Sequence, residues 1–446
     1  MTTIKLDPGA ALLLDALHGA GHAAYAVGGC VRDSLLGLAP HDWDLCTSAR
    51  PEQVMALFGE EKCIPTGLQH GTVTVKQGGR LYETTTFRTE GAYSDGRHPD
   101  AVCFVPDVRE DLARRDFTIN AMAYSAEEGL IDPFGGRDDL AAHLVRAVGE
   151  PERRFEEDAL RILRLYRFAA RFGFAIDPAT GAAARALGPH LDCVSAERIQ
   201  EELLKLLAAP RPGSYLEPAV LAVVLPELEP EKQPERFAEL CRTIDRIEPT
   251  AENVPTRLAA LLWPLGEAGA RKALRKLKCS NALTDEVTAL EREAGGDAGS
   301  FSKDRPLGWD PVAAGNRAGD GMARFVSEEK ASGIPNTTLT VQAKRLLGRY
   351  ELPTIQRLTA LCSARHPEQA VAFAALRAEA ERLTAENACC RVSQLAVNGR
   401  DLMAAGVRPG PGLRQVLNAL LEAVITGQTP NEKDALLAAA AQFSAS

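Results

Sequence analysis

Aromatic side chains are scarce: Phe, Tyr and Trp make up 5% of 446 residues, a poor supply for the interior of an all-β sandwich. Ala and Leu are abundant instead, which suits packed helices. Positive charge is in deficit, with 51 Lys and Arg against 60 Asp and Glu and a formal net charge of -9. No global field therefore draws the chain to nucleic acid, and any such partner must be held by a local basic surface. The ten cysteines contain no C-x-x-C pair, and Cys389-Cys390 cannot seed a disulfide framework, so structural zinc is not expected and reduced cytosolic thiols are. Long apolar runs are missing. The most apolar stretch, 219–225, falls far below the ~20 residues of a membrane span, and the run 10–14 is cut by Asp15, unlike a signal peptide. The expectation is a cytoplasmic protein without membrane contact. What is present is ordinary for a soluble chain, 45% hydrophobic and 25% charged, which excludes disordered, collagen-like and coiled-coil classes. At about 150 residues per domain the length predicts roughly three domains.

From residue 23 to about 149, strand-like runs alternate with short helices. Residues 24–27, 44–47, 72–76 and 81–87 are rich in Val, Thr and Tyr and bounded by Gly or Pro, while 31–36 and 52–58 have helical spacing. Runs 72–76 and 81–87 flank Gly78-Gly79, which predicts a hairpin and antiparallel pairing. From Glu150 onward strand signals almost vanish and helical periodicity continues to Ser446. The expected fold class is α+β, a mixed or antiparallel sheet followed by an all-α array. Gly-rich 294–321, with Pro306 and Pro311, reads as a long loop or hinge.

The first chemistry lies in Val27-Gly28-Gly29-Cys30-Val31-Arg32-Asp33-Ser34-Leu35-Leu36-Gly37. Two glycines between a strand and a helix let the backbone approach a phosphate, with the helix start and Arg32 supplying positive charge. Alone, they equally suit an ordinary strand-to-helix turn. Next comes His41-Asp42-Trp43-Asp44-Leu45. Residues i and i+2 of a strand share a face, so Asp42 and Asp44 can bind a divalent cation together; an isolated Asp-x-Asp also suits a solvated strand end. In combination the two features favour a two-metal nucleotidyl-transfer site.

These residues resemble the pattern of class II nucleotidyltransferases, the bacterial tRNA CCA-adding enzymes and poly(A) polymerases, whose head resembles polymerase beta. The resemblance continues in Glu83-Thr84-Thr85-Thr86-Phe87-Arg88, Arg114-Arg115-Asp116-Phe117-Thr118-Ile119-Asn120-Ala121, Glu157-Asp158-Ala159-Leu160-Arg161 and Glu197-Arg198-Ile199. The tail Leu395-Ala396-Val397-Asn398-Gly399-Arg400-Asp401-Leu402, with Gly410-Pro411-Gly412, is similar to the Gram-positive type of CCA-adding enzyme. The resemblance implies a head at 1–149, a helical neck at 150–210 that recognises the base, a helical body at 211–350 and a tRNA-binding tail at 351–446. It implies addition of C, C and A to the tRNA 3′ end from CTP and ATP, with release of pyrophosphate. Asp42 and Asp44 would hold two Mg2+ ions. Gly29, Arg32, Arg115, Arg164 and Arg167 would hold phosphate or ribose, and Asp158 with Arg161 would read the base.

Asp116 could orient Arg115 through a paired fork, a structural ion pair being the alternative, and Glu83 could accept the proton of an attacking hydroxyl or be a plain exposed strand residue. On a helix, Arg161, Arg164, Arg167 and Arg171 would sweep one side while Ile162, Leu163 and Tyr166 turn to the other; a solvated charged face has the same pattern. Asp158 and Arg161, three apart, are expected on neighbouring turns. One acceptor beside fixed donors matches cytosine and adenine, which present an amino donor and a ring-nitrogen acceptor, and mismatches guanine and uracil. Basic clusters at Arg271, Lys272, Arg275, Lys276 and Lys278, and at Lys344, Arg345 and Arg349, could contact RNA phosphates or be solvated surface. The partner implied is tRNA, at its acceptor stem and 3′ end; a homodimer is left open.

The nearest rival is a poly(A) polymerase. Thr66-Gly67-Leu68-Gln69-His70-Gly71-Thr72-Val73 looks like the CCA-adding form. Residues 90–100 resemble the flexible loop that CC-only enzymes lack, which leaves A-only addition open.

Overall fold

The computed structural model of the chain describes residues 3–91, 102–295 and 338–443. The expected loop at 92–100 and residues 296–321 of the expected hinge lie outside them. The head strands are β1 (Ala24–Val27), β2 (Leu45–Thr47), β3 (Cys63–Gly67), β4 (Thr72–Gln77), β5 (Arg80–Thr86), β6 (Arg88–Glu90), β7 (Val102–Phe104), β8 (Ala123–Ser125) and β9 (Gly129–Ile131). Seven form a mixed sheet in the order β3-β4-β5-β2-β1-β8-β9, and β6 pairs with β7 alone. Within the large sheet β2 and β5 run parallel, with Leu45 opposite Thr84. Gly78 and Gly79 have φ of 57° and 78°, the left-handed pair that a two-residue type I′ turn needs, and β4 and β5 close the hairpin predicted there.

Five helices accompany the sheet: α1 (Pro8–Gly19), α2 (Gly29–Leu35), α3 (Pro51–Phe58), α4 (Val108–Ala113) and α5 (Gly136–Ala141). Apolar residues of β1, β2 and α4 pack with Phe87, Ala121, Ala123 and Val148 into one core, in which the rings of Tyr25 and Phe87 stack at 6.0 Å. Burying alternate strand residues fixes register, because a one-residue slip would turn this set to water.

The neck consists of α6 (Pro151–Glu157), α7 (Leu160–Phe172), α8 (Pro178–Ala186) and α9 (Ala196–Leu207). The sequence predicts one helix through Asp158, and this is corrected by the structure. Asp158 is extended, with φ -148° and ψ 103°, and its Oδ1 accepts from the Leu160 backbone N–H at 3.1 Å. A short carboxylate that bonds the backbone two residues on competes with helix continuation and starts a new helix instead.

The chain divides into two compact units, Met1–Asp245 with Lys276–Cys279, and Arg246–Arg275 with Ser280–Ser446. Head and neck thus share the first unit. In the second, helices Val254–Leu262, Asn281–Ala294 and Leu352–Arg365 pack together over buried Leu258, Leu261, Val287, Leu290, Ile355 and Leu361. A separate cluster forms around Leu402, Leu420 and Leu436. Among the described residues no helix is long and apolar enough to cross a membrane.

Candidate active site

The turn after β1 needs glycine for two reasons. Gly28 has φ 76°, and a Cβ there would stand 2.8 Å from Nη1 of Arg115. The chain then enters α2 at Gly29, with the Arg32 N–H donating to the Gly28 carbonyl at 3.0 Å. Arg115 thus lies directly against the turn, and its buried Nε has no partner among the described residues.

The carboxylates are placed by strand register. Leu45 is opposite Thr84 in the parallel β2–β5 pair, so Asp44 and Glu83, each one residue earlier, stand side by side. Asp42 is highly exposed, with His41 Nδ1 3.0 Å from its Oδ1. The expected strand begins one residue late, at Leu45, so Asp42 and Asp44 precede it; the Asp44 carbonyl still accepts from the Val27 N–H at 3.0 Å. Asp44 is open to water on one side yet crowded by protein on the others. That partial desolvation pushes its carboxyl up to about 6, and the charges of Glu83 and Asp42 add to the rise while Arg115 opposes it. An all-carboxylate set with surplus negative charge has the hard oxygen chemistry that a divalent cation such as magnesium prefers. Among the described residues no three ligating side chains already converge as a formed metal cluster.

Arg32 lies beneath the turn, 4% exposed. Its Nε donates to Asp33 at 2.8 Å and its Nη1 to Asn120 Oδ1 at 2.5 Å. The sequence assigned Asp116 to Arg115, and this too is corrected. Asp116 Oδ2 accepts from Arg164 at 2.9 and 2.7 Å, whereas Arg115 reaches Asp111 at 3.5 Å. Burial pushes the Asp116 carboxyl up, but Arg164 and the Asn120 amide outweigh it and hold the group well below the usual range.

The neck arginines are not a solvated face. Arg161 is buried, donating to Glu157 at 2.7 Å and to the carbonyls of Arg154 at 3.1 Å and Arg114 at 3.0 Å. Arg167 donates to buried Glu202 at 2.5 Å and lies over the Phe168 ring at 4.0 Å. Asp158 Oδ2 accepts from Arg198 at 2.8 Å. Asp158 and Arg161 therefore stand close in sequence but spend their hydrogen bonds on different partners, and the expected joint edge is not formed in this arrangement.

Sequence reasoning missed Asp33, Asp111, Asn120 and Glu202 as partners. Asp111 stands three and four residues before Arg114 and Arg115, a helical spacing that could have revealed it; the others carry no local signal. Of the basic clusters, Arg271 is bonded to Asp285 at 3.1 Å and Thr288 at 2.8 Å, Lys344 to the Val424 carbonyl at 3.3 Å, Arg345 to Glu422 and Arg349 to Glu293 at 2.8 Å. Lys272, Arg275, Lys276 and Lys278 are exposed.

Residues 24–146 match the family described as "Poly A polymerase head domain", and residues 344–440 match a tRNA nucleotidyltransferase domain 2. The CCA-adding enzyme of Lactobacillus helveticus is 36% identical over 426 residues, covering 95% of this chain and 94% of that protein. That of Geobacillus stearothermophilus is 35% identical over 422 residues, 94% of this chain and 92% of its own length. The crystal structure of the Bacillus stearothermophilus CCA-adding enzyme in complex with CTP aligns with a TM-score of 0.71 at 30% identity, over 98% of both chains.

Proposed function

This chain belongs to the CCA-adding enzymes, a family of nucleotidyltransferases, and from that membership we propose that it adds C, C and A to the 3′ end of tRNA from CTP and ATP. The observation that carries the reading is the position of Asp44, between the charges of Asp42 and Glu83 and beside the Gly28 turn that Arg115 borders.

In the proposed reaction the tRNA 3′-hydroxyl oxygen forms a bond to the α-phosphorus, the bond from that phosphorus to the bridging oxygen breaks, and pyrophosphate leaves. Asp42 and Asp44 would hold two magnesium ions, which acidify the hydroxyl and neutralise the triphosphate. Glu83, one strand away, is placed to take the proton. Gly29 gives the phosphates close access to the backbone, and Arg115 supplies a guanidinium beside it; Arg32, Arg164 and Arg167 are assigned to the same phosphate and ribose cradle. Asp158 and Arg161 read the amino group and ring nitrogen of C and A, which requires that they exchange Arg198 and Glu157 for the base. Cytoplasmic placement is supported by ten free cysteines, several of them buried thiols that a reducing compartment preserves.

The test offers tRNA transcripts ending before the first C, after one C and after two, with each nucleotide separately. C, C and A should be added in turn; addition of A alone, or of a long A tract, would replace this reading. Asp42→Asn or Asp44→Asn should leave tRNA binding intact and reduce turnover by about 1,000-fold or more.

A further inference from the structure

Asn120 is absent from the assignments above, yet it stands between two residues assigned to the nucleotide cradle. Its Nδ2 donates to Asp116 Oδ1 at 3.0 Å, and its Oδ1 accepts from Arg32 Nη1. From Asp116 the chain of bonds passes to Arg164 on α7. From Arg32 it passes to Asp33 Oδ1, whose other oxygen accepts from Arg171 Nη2 at 3.2 Å. Arg171 is also on α7, two turns after Arg164. The six side chains thus form a circuit that leaves α7, crosses the segment after α4 and the phosphate-side helix α2, and returns to α7. Phe168 and Phe172 stack within it at 6.3 Å, and the Arg32 guanidinium lies 5.2 and 4.8 Å from their centroids. Arg32, Asp33, Asp116 and Asn120 are all less than 9% exposed.

The donor order leaves little choice at position 120. Arg32 can only donate and ionised Asp116 can only accept, so the residue between them must accept on one side and donate on the other. An amide of this length does both. Asp would set a second carboxylate 3.0 Å from Asp116, and Ala would leave a buried donor and a buried acceptor unpaired.

We propose that Asn120 is a positioning residue that closes a side-chain circuit between the phosphate-side turn and the base-reading helix, so that a mispaired base misplaces the triphosphate. The inference rests on the nucleotidyl-transfer reading above. The circuit makes the head and α7 one body in which movement at the base is felt at Arg32, and its exposed closing link is Arg171, whose side chain is 47% exposed.

The test measures kcat/KM for CTP and for UTP on tRNA ending before the first C. Asn120→Ala and Arg171→Ala should each lower the CTP-over-UTP ratio by about 10-fold. The double variant should fall no further than Asn120→Ala alone, since both open one circuit. Arg171→Lys, which keeps a donor for Asp33, should restore most of the ratio, a rescue that a general loss of stability would not give. Ratios unchanged in folded variants, or losses that add in full, would overturn the circuit; should Asn120→Ala fail to fold, the two Arg171 variants decide alone. Wild-type protein that transfers neither C nor A would overturn the function reading and this proposal together, whereas transfer with unaltered selectivity in the variants removes this proposal only.

Discussion

Glu291 is fully buried in the second unit, and neither carboxylate oxygen has a hydrogen-bond partner. Burial pushes its carboxyl up to about 8, only partly offset by Arg365, so at neutral pH the residue is mostly protonated. Between 4.5, the ordinary value, and about 8 the folded protein keeps a proton that the unfolded chain has released. The stabilising difference is therefore complete below that window and is lost as pH rises through it. Glu291→Gln stays neutral throughout, so its Tm relative to wild type should change little below the window and gain the equivalent of about 3 kcal/mol above it. Calorimetry across this range checks the sign, and a gap that shrank at high pH would contradict the assignment. Gly28→Ala acts by geometry instead, adding a methyl group against Arg115 in left-handed backbone. It should cost about 1–2 kcal/mol of stability and raise KM for both nucleotides, a titration that locates the strain at the triphosphate.

The junction between α6 and α7 does two jobs, because Asp158 caps Leu160 and also carries the acceptor assigned to the base. Asp158→Ser keeps a cap but is too short to reach a base, whereas Asp158→Ala loses both. Only the alanine variant should lose about 1 kcal/mol more than the serine variant in thermal melts. Both should lose about 10-fold in preference for CTP and ATP over UTP, measured as relative kcat/KM. Elements of this kind differ in how legible they are. The β1–Gly28–α2 turn and the Gly78-Gly79 hairpin were readable because glycine at a strand end is a local signal, and Asp44 was readable from its spacing to Asp42. The break at Asp158 was not, since Glu157-Asp158-Ala159 contains neither proline nor glycine and only the carboxylate's turn toward Leu160 ends the helix. The partners of the α7 arginines were equally hidden. Arg164 meets a residue 48 positions away and Arg171 one 138 positions away, distances over which helical periodicity carries no information.

Across the whole molecule the net charge is -9, so tRNA affinity must come from local cations and should fall steeply with salt. Arg271 is already engaged with Asp285 and Glu267, while Arg275 and Lys278 are exposed. Changing Arg275 and Lys278 together to Ala should lower the slope of log affinity against log salt by about 1–2, and Arg271→Ala should change it much less; filter binding at several salt concentrations separates the two. The circuit through Asn120 bears on how the chain can be dissected. A polypeptide cut after Gly149 would retain Asp33 and Asp116 but lose Arg171 and Arg164, and Phe117 would lose the Phe168 ring that meets it edge-on at 5.8 Å. Two carboxylates would be stranded in a half-made interior, a strongly unfavourable outcome. Residues 1–149 alone should therefore melt broadly, with weak near-ultraviolet circular dichroism, whereas residues 1–279 should give one sharp transition. The catalytic sheet is not an autonomous folding unit: the helices that follow it supply the counter-charges without which it would not set.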